Sequence, residues 1–436
     1  TAGLSGLTVH RIDHYMTETE LTAEFGEKGW KQLPDAISRC YHFVPAKVEV
    51  EEHHIGVYSS KNDEHMVKAH HPKNLLHGSL VSPSPPSLAA AIINGKYVNA
   101  VPLYRLEKEF ERYGLAITRQ NMANWMIRLG ESYLGIMYDY LHKLLYQYHV
   151  IQADETPVLV NKDGRPAGSK SWMWVYRSGF MYADKQIILY EYQKTRNASH
   201  PREFLKNYAG ICVTDGYQVY HTLAKEKEDL RIAGCWVHCR RKFHEALEII
   251  PKDLRKQSVL YLLMNQIRAI YREEGKLSEL TSDERLIQRQ QVVKPLVDAL
   301  FAYLKQISDR IPKSGKSREA VTYALNQERY LRVFLEDGDV PMDNNASERA
   351  IRGFCIGKKN WEMIDTINGA SSSAIIYSIA ETAKANQLKP YDYFEYLLTE
   401  LPKHMNDNNN DFLAELLPWS ETLPEHIRKP VKSDDK

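Results

Sequence analysis

Apolar residues recur at every second position along one part of the chain and at every third or fourth position along the rest. The two-residue period, typical of β-strands, occupies residues 149–238, and the helical period covers most of 87–149 and 239–335. Helical stretches near 200–207 and 217–226 separate the last three strands. The order of elements predicts an α/β fold with a mixed sheet and helices on its faces. The candidate strands are 149–153, Ser171–Tyr176, Gln186–Tyr192, 211–214 and Arg231–Trp236.

A helical region precedes the predicted sheet. The helix that starts at Leu103 meets Gly114, a residue that can end a helix, and Thr118 is suited to cap the next one. Helix, glycine-containing turn and helix is the outline of a helix-turn-helix motif, which places Arg119 and Asn121 as candidate DNA contacts on the second helix. Any helical hairpin has the same pattern, so both interpretations stay open.

Breaks in these patterns divide the chain into four regions. Residues 1–82 have no clear period, and the sequence Ser-Pro-Ser-Pro-Pro after them is typical of a linker. Residues 83–148 form the helical region. Residues 149–370 contain the sheet and an all-helical insertion at about 240–335, and residues 371–436 form a C-terminal helical region and tail.

Composition narrows the class of protein. With 436 residues, 43% of them hydrophobic, the chain can bury a large core, and its formal net charge of +1 excludes a uniformly basic nucleic-acid binder but allows local basic patches. The sequence contains no apolar run of membrane-span length and does not open with a signal-peptide pattern. Five scattered cysteines fit a reducing compartment, so we expect a cytoplasmic protein that binds no membrane.

Three acidic residues lie where an unpaired carboxylate would be costly. Asp154 lies inside the apolar run Ile151–Val160, Asp215 ends a second β-prone run just before a glycine, and Glu348 lies near a predicted capped helix start. An ionised carboxylate is buried only when it is paired or holds a cation. Two strand acids and one helix acid are the ligands of a divalent-metal site for phosphoryl transfer.

The chemistry of such a site specifies its ions. Two Mg²⁺ (or Mn²⁺) ions about 3.5–4 Å apart assist the attacking and the leaving oxygen of a phosphodiester, and both ions prefer carboxylate and water ligands. We expect Asp154 to bridge both ions, Asp215 to bind one and Glu348 to bind the other. Each acid alone is equally consistent with a helix cap or a surface ion pair. Glu155 competes with Asp154, because strand neighbours point to opposite faces and only one of them can face the metal.

The motif around Cys235 raises the question of a zinc site. Cys235, His238 and Cys239 are three soft ligands within five positions, but no fourth ligand has matching spacing. Histidines cluster at positions 53–71 without cysteine pairs, which is typical of a solvated loop. We therefore expect no zinc.

Two basic groups lie near the acids in the sequence. As solvated surfaces they would be unremarkable, but beside a carboxylate cluster they are suited to contact a phosphate backbone or to brace the acids. The first group is His238, Arg240, Arg241 and Lys242, and the second is Arg349, Arg352, Lys358 and Lys359.

Several motifs in one order make the sequence similar to a known family. It resembles the transposases of the insertion sequence 66 family from about Ser82 to Trp419. The shared motifs are Lys96-Tyr97, Pro102-Leu103-Tyr104-Arg105, Ala153-Asp154-Glu155-Thr156-Pro157, Asp215-Gly216-Tyr217, Gly234-Cys235-Trp236-Val237-His238-Cys239-Arg240-Arg241-Lys242-Phe243, Asp343-Asn344-Asn345-Ala346-Ser347-Glu348-Arg349, Thr382-Ala383-Lys384-Ala385-Asn386 and Leu416-Leu417-Pro418-Trp419.

The resemblance implies a ribonuclease H-like catalytic domain whose triad is Asp154, Asp215 and Glu348, and so favours Asp154 over Glu155. It implies Mg²⁺-dependent cleavage at element ends and transfer of the freed strand into target DNA. The expected partners are both DNAs, further copies of the chain and accessory proteins of the element, at the nucleoid. The alternatives are a ribonuclease H-like nuclease that does not join strands, and a decayed transposase that only binds DNA.

One departure from the family concerns residues 1–82. Members usually carry a cysteine-rich zinc-binding segment before the linker. Here that region contains only Cys40, and Tyr58–Lys61 stand where a cysteine pair is expected. We interpret residues 1–82 as a zinc-finger-like segment without its cysteines.

Overall fold

A computed structural model describes residues 11–27, 30–31, 33–34, 37, 46–50, 52, 54–59, 66–69, 75, 86–179, 181–407 and 409–430. The predictions for Cys40, for residues 82–85 of the linker and for most of the histidine cluster therefore lie outside the described residues. Within these ranges, no helix combines the length and the apolar character that a membrane span requires.

The chain is mainly helical, with its strands concentrated between residues 150 and 234. The α-helices are α1 (Glu18–Phe25), α2 (Pro86–Ile93), α3 (Leu103–Arg112), α4 (Arg119–Leu129), α5 (Gly135–Leu145), α6 (Ser199–Phe204), α7 (Gln218–Glu226), α8 (Trp236–Glu248), α9 (Val259–Gly275), α10 (Ser282–Gln288), α11 (Lys294–Ile307), α12 (Lys316–Leu331), α13 (Asn345–Trp361), α14 (Ile367–Ala385) and α15 (Pro390–Glu400). The strands are β1 (Val57–Ser59), β2 (Met66–Lys68), β3 (Val150–Lys162), β4 (Lys170–Ser178), β5 (Ile188–Gln193), β6 (Gly210–Thr214), β7 (Leu230–Gly234) and β8 (Met363–Thr366).

A six-stranded mixed sheet lies at the centre of the described residues. Its order is β5-β4-β3-β6-β7, and β8 also pairs with β3. The β3–β4 and β4–β5 pairs are antiparallel, whereas β6, β7 and β8 pair in parallel. Three strands in succession followed by helix-connected parallel strands is the arrangement expected of a mixed α/β sheet. The predicted α/β class is confirmed.

One edge of β3 has an unpaired middle. On this edge β6 pairs with residues 150–152 and β8 pairs with residues 159–162, so the ladder is interrupted between them. The start and the end of α13 occupy the gap: Asn344 Nδ2 donates to the Ala153 carbonyl at 2.8 Å, and Lys358 Nζ donates to the Pro157 carbonyl at 2.6 Å. Side-chain donors thus satisfy carbonyl groups that no strand reaches.

Alternation along the strands separates the two faces of the sheet. Val150 and, on β6, Ile211 and Val213 pack into the core of the helical segment 236–335, whereas Ile151 and Cys212 pack into the core beneath the opposite face. Because side chains alternate along a strand, Asp154 lies on the Val150 face and Glu155 on the other.

The helical segment between β7 and α13 comprises α8 to α12 and has its own apolar core. It contacts the sheet through α12, where Leu331 packs against Gly234 at the end of β7. Arg289 is fully buried within it and is held by Glu274 and by the carbonyls of Phe334 and Asp337. The predicted succession of helices over this range is confirmed, while its status as an insertion into a ribonuclease H-like domain stays a prediction.

The two helices expected before the sheet are present as α3 and α4. Gly114 has φ +83° between them, a backbone conformation that favours glycine, and Thr118 Oγ1 accepts the Asn121 N–H at 3.2 Å as the cap of α4. Their use in reading DNA stays a prediction.

Three local predictions differ from the structure. Strand β3 continues to Lys162 rather than ending at 153, the strand expected at Arg231–Trp236 ends at Gly234, and β8 was not predicted. Cys235 and Trp236 are β-prone, but the Trp236 N–H donates to the Met342 carbonyl at 3.1 Å and α8 begins there. A tertiary contact thus overrides local propensity.

Candidate active site

Asp154 lies in the middle of β3, at the interrupted edge. Its Oδ1 accepts the N–H of Glu155 at 2.8 Å, which satisfies a backbone donor that faces the gap. The carboxyl group is mostly buried, and its side chain points to the face of the sheet that packs on the helical segment. Both neighbours along the strand are buried, so the position of Asp154 is set by the sheet rather than by a mobile loop.

Asp215 follows directly after β6. Gln152 pairs with Val213 in the parallel register, and two further residues along each strand lead to Asp154 and Asp215. Paired positions in parallel strands direct their side chains to the same face, so the two carboxylates are neighbours. Asp215 is fixed on both sides, because its Oδ1 accepts the Tyr217 N–H at 2.8 Å and its carbonyl accepts the Tyr323 hydroxyl at 3.0 Å.

Glu348 lies in the first turn of α13. Its amide bonds to the Asn344 carbonyl at 3.2 Å, so the residue belongs to the helix from its first turn. Its Oε1 is buried and has no hydrogen-bond partner among the described residues. Two basic side chains of α8 approach it: His238 Nε2 and Arg241 Nη2 each lie 3.9 Å from that oxygen. A buried carboxylate oxygen without a donor is suited to bind a cation.

Electrostatics supports the proximity of these acids. The pKa of Asp154 is raised to about 8, chiefly because burial removes its carboxylate from water. The neighbouring carboxylates that raise it further are Glu155, Asp215 and Glu348. His238 lies between two of them; burial lowers the pKa of its imidazole, while Asp215 and Glu348 oppose that change. The charges of Asp215 and Glu348 thus reach Asp154, and that of Glu155 reaches it from the other face of the sheet.

Glu155 lies on the opposite face and has a partner. Arg196 Nε donates to Glu155 Oε1 at 2.7 Å, and the guanidinium also lies over the rings of Trp172 and Tyr217, at 4.9 and 3.8 Å from their centroids. Burial raises the pKa of Glu155 to about 7, the Asp215 charge adds to this, and Arg196 opposes it. An acid that is already paired by an arginine is the poorer candidate for a metal ligand.

Asp154, Asp215 and Glu348 offer carboxylate oxygens, the type of ligand that Mg²⁺ prefers. Among the described residues, no three side chains of His, Cys, Asp or Glu lie close enough to ligate a single metal ion. A two-metal site does not require three ligands per ion, because Mg²⁺ commonly takes one or two carboxylates and several waters. Carboxylate oxygens on two strands and a helix are the right chemical type.

The cysteines of the motif have a structural environment. Burial raises the pKa of both the Cys235 and the Cys239 thiol to about 12. The Cys235 sulfur accepts the Asn344 N–H at 3.2 Å. Both thiols are therefore protonated at neutral pH, and one has a hydrogen-bonding role in the protein interior.

The predicted DNA contacts fall into three places. Arg119 and Asn121 are exposed at the start of α4, and Arg349, Arg352 and Lys359 are exposed along α13. No ion pair engages Arg349 or Arg352 in the part of the chain that the structure describes. From α8, Arg240 is exposed and lies over the Tyr271 ring, while His238 and Arg241 are near Glu348. Lys358 differs, since its ammonium group donates to the Pro157 carbonyl.

Four residues near the acids were not assigned a role from the sequence: Gln152, Arg196, Tyr323 and Asn344. Each acts through a partner far away in the chain. A polar Gln152 within an apolar strand was the available signal, because such a residue requires a buried partner.

Comparison with known proteins identifies a matching family model and several similar sequences. Residues 82–372 match the family model described as "Transposase IS66 family", and residues 378–419 match the "IS66 C-terminal element". Similar proteins of Sinorhizobium fredii (strain NBRC 101917 / NGR234) include "Uncharacterized protein y4qI", which is 29% identical over 389 residues, covering 86% of this chain and 69% of that protein. "Uncharacterized protein y4jD" is 25% identical over 400 residues, covering 89% and 76% of the two chains. "Uncharacterized protein y4hP" is 24% identical over 345 residues, covering 77% of this chain and 62% of that protein.

A solved structure, "Mos1 transposase paired-end complex with left transposon end", is 15% identical and covers 38% of this chain and 63% of that one, with a TM-score of 0.16. A superposition of that quality supports no statement about fold or function.

Proposed function

The chain belongs to the IS66 transposase family, and on that premise we propose that it is a transposase that cleaves DNA at the ends of its element and joins them to target DNA. Asp154, Asp215 and Glu348 are the proposed catalytic residues in a ribonuclease H-like domain. The observation that carries the proposal is the cluster of partly buried acids around Asp154, whose carboxyl pKa is raised to about 8 by burial and by its acidic neighbours. Such a cluster is costly without a cation, and it serves phosphoryl transfer when cations are bound.

The proposed site holds two Mg²⁺ or Mn²⁺ ions. When bound, the ions supply activation of an oxygen nucleophile and stabilisation of the leaving oxygen. Asp154, Asp215 and Glu348 would hold these ions through their carboxylate oxygens. The charges of Asp215 and Glu348 raise the pKa of the Asp154 carboxyl, which supports their proximity.

Residues of α8 have a second part in the proposal. His238 and Arg241 lie 3.9 Å from Glu348 Oε1, on the side of the sheet where Asp154 and Asp215 point. Imidazole and guanidinium N–H groups are donors that suit the non-bridging oxygens of a phosphate. We assign to them the neutralisation and orientation of the scissile phosphate beside the acids.

DNA is held, in this proposal, by the exposed basic residues of α4 and α13. Arg119 and Asn121 at the start of α4 are placed to contact a groove, and Arg349 and Arg352 to contact phosphates. Further copies of the chain on DNA and accessory proteins stay predictions of the family resemblance.

A strand-transfer assay tests the function. The purified chain, Mg²⁺ and a duplex that ends in the element's terminal sequence are expected to yield a product joined to target DNA. Cut but unjoined DNA would instead support a ribonuclease H-like nuclease, and bound but unaltered DNA a protein that only binds. Replacing Mg²⁺ by EDTA is expected to stop both cleavage and joining.

The α13 arginines provide a separate prediction. The Arg349→Ala/Arg352→Ala double variant is expected to bind DNA more weakly whatever its sequence, because two phosphate contacts are lost. The slope of log affinity against log salt should decrease by about 2, roughly 0.9 per contact. Fluorescence anisotropy at several salt concentrations measures it. A matched control is Arg268→Ala/Arg310→Ala, which removes two exposed arginines from the helical segment. An unchanged slope in the α13 variant would mean that these arginines are not phosphate contacts.

A further inference from the structure

Asn344 is the N-terminal cap residue of α13, yet its side chain makes no capping bond. Its backbone carbonyl accepts the N–H groups of Ser347 and Glu348, at 3.1 and 3.2 Å, and the residue is completely buried. Asparagine is favoured at this position because its side-chain oxygen normally accepts an N–H of the first turn. Here the side chain is turned away from the helix, so that stabilisation is given up.

The amide group instead contacts the central strand. Asn344 Nδ2 donates to the Ala153 carbonyl at 2.8 Å, and Asn344 Oδ1 accepts from Gln152 Nε2 at 3.1 Å. Both partners immediately precede Asp154. The Ala153 carbonyl lies at the interrupted edge, between the last residue that pairs with β6 and the first that pairs with β8, so no strand supplies its donor.

The backbone of Asn344 makes a third connection. Its N–H donates to Cys235 Sγ, at the start of α8, and the neighbouring Met342 carbonyl accepts the Trp236 N–H. Helix α8 carries His238 one turn later. One buried residue therefore links the strand of Asp154, the helix of Glu348 and the helix of His238.

We infer that Asn344 is a positioning residue that fixes the separation between Asp154 and Glu348. Only an amide at this length has a donor for Ala153 together with an acceptor for Gln152. Serine caps helices as well as asparagine does but has no second polar atom and a shorter reach, and the two functions of the residue can therefore be separated by substitution. The catalytic consequence of this inference rests on the proposed function. The hydrogen bonds by which Asn344 links β3 to α13 do not depend on it.

The variant Asn344→Ser tests the inference, with Asn345→Ser as the matched control. Asn345 is the next residue, and its side chain donates to Asp343 Oδ2 at 2.8 Å, a half-buried contact within the same turn that does not reach β3. Helix α13 keeps other anchors in both variants, since Arg177 Nη1 donates to the Ala346 carbonyl and Lys358 to that of Pro157. Both variants are therefore expected to fold.

Two measurements are made on the full-length chain. The binding of Mn²⁺ is measured by titration, with the free ion followed by electron paramagnetic resonance. Asn344→Ser should lower the affinity for one of the two ions about tenfold, as Glu348→Gln does. Asn345→Ser should bind both ions with the affinity of wild type. Hydrogen exchange of the backbone amides at 346–350 should accelerate at least tenfold in Asn344→Ser alone, with the sheet unchanged.

Two results in Asn344→Ser would overturn the inference. The first is wild-type Mn²⁺ affinity together with wild-type hydrogen exchange. The second is loss of protection throughout the sheet, because Asn344 would then stabilise the whole fold rather than position the site. If wild type binds no Mn²⁺, the proposed metal-dependent function fails, while faster exchange confined to 346–350 still supports the link between α13 and β3.

Discussion

Replacing Asp154 by Asn is expected to lower cleavage and joining roughly a thousandfold or more, with DNA affinity within about twofold of wild type. The amide has the shape of the carboxylate but lacks its charge, and a neutral oxygen is a poor ligand for Mg²⁺. Asp154 lies in the buried middle of β3, so the variant removes a ligand rather than a surface contact with DNA. Cleavage and strand-transfer rates, together with binding by anisotropy, measure the two effects.

Glu155→Gln is the comparison that decides between the adjacent acids. Glu155 faces the other side of the sheet and is paired with Arg196, so its replacement should retain most of the activity at temperatures where the variant is folded. If Asp154→Asn retained activity and Glu155→Gln lost it, the triad would have to be rebuilt around Glu155.

The second large effect concerns stability without metal. The Asp154 carboxyl, with its pKa raised from 3.8 to about 8, stays protonated in the folded protein where the unfolded chain has already lost that proton. The free energy of unfolding therefore falls as the pH rises from about 4 to about 8, by at most about 1.4 kcal/mol per pH unit. In EDTA, Asp154→Asn should melt at a higher temperature than wild type at pH 8, and the difference should shrink towards pH 4.

Magnesium should reverse this ranking. At pH 8 the ion competes with the proton for the acid cluster, so it should raise the melting temperature of wild type and leave that of Asp154→Asn nearly unchanged. Thermal melts from pH 4 to pH 9, in EDTA and in Mg²⁺, provide the test. A variant that is less stable than wild type at pH 8 in EDTA would contradict a strained acid cluster at this position.

The sequence predicted those features that depend on neighbouring residues. The period of two around Asp154 indicated a strand, and the order of strands and helices indicated the mixed sheet, because backbone pattern and burial are coupled locally. The caps at Thr118 and Gly114 were likewise readable, since each cap depends on a few adjacent residues.

Other features depend on contacts between distant parts of the chain. Strand β8 has four residues with weak alternation, and it forms a strand only because β3 offers a free edge. The pairing of Glu155 with Arg196 joins strand β3 to a loop residue 41 positions later, so nothing near Glu155 indicates it. A capped start of α13 was predicted, and local rules point a capping side chain at its own helix. The Asn344 side chain instead donates to the Ala153 carbonyl of the strand.

The interrupted edge of β3 has a consequence for synthesis of the protein. During synthesis, β3 leaves the ribosome about 200 residues before β8 and the end of α13, a delay of roughly 10–40 s at 5–20 residues per second. Until then the central strand exposes an unsatisfied edge, the kind of surface on which incomplete chains associate. A chain that stops before α13 has Asp154 and Asp215 but neither Glu348 nor the donors that cover the edge. Truncated products are therefore expected to lack a complete acid cluster and to be prone to aggregate.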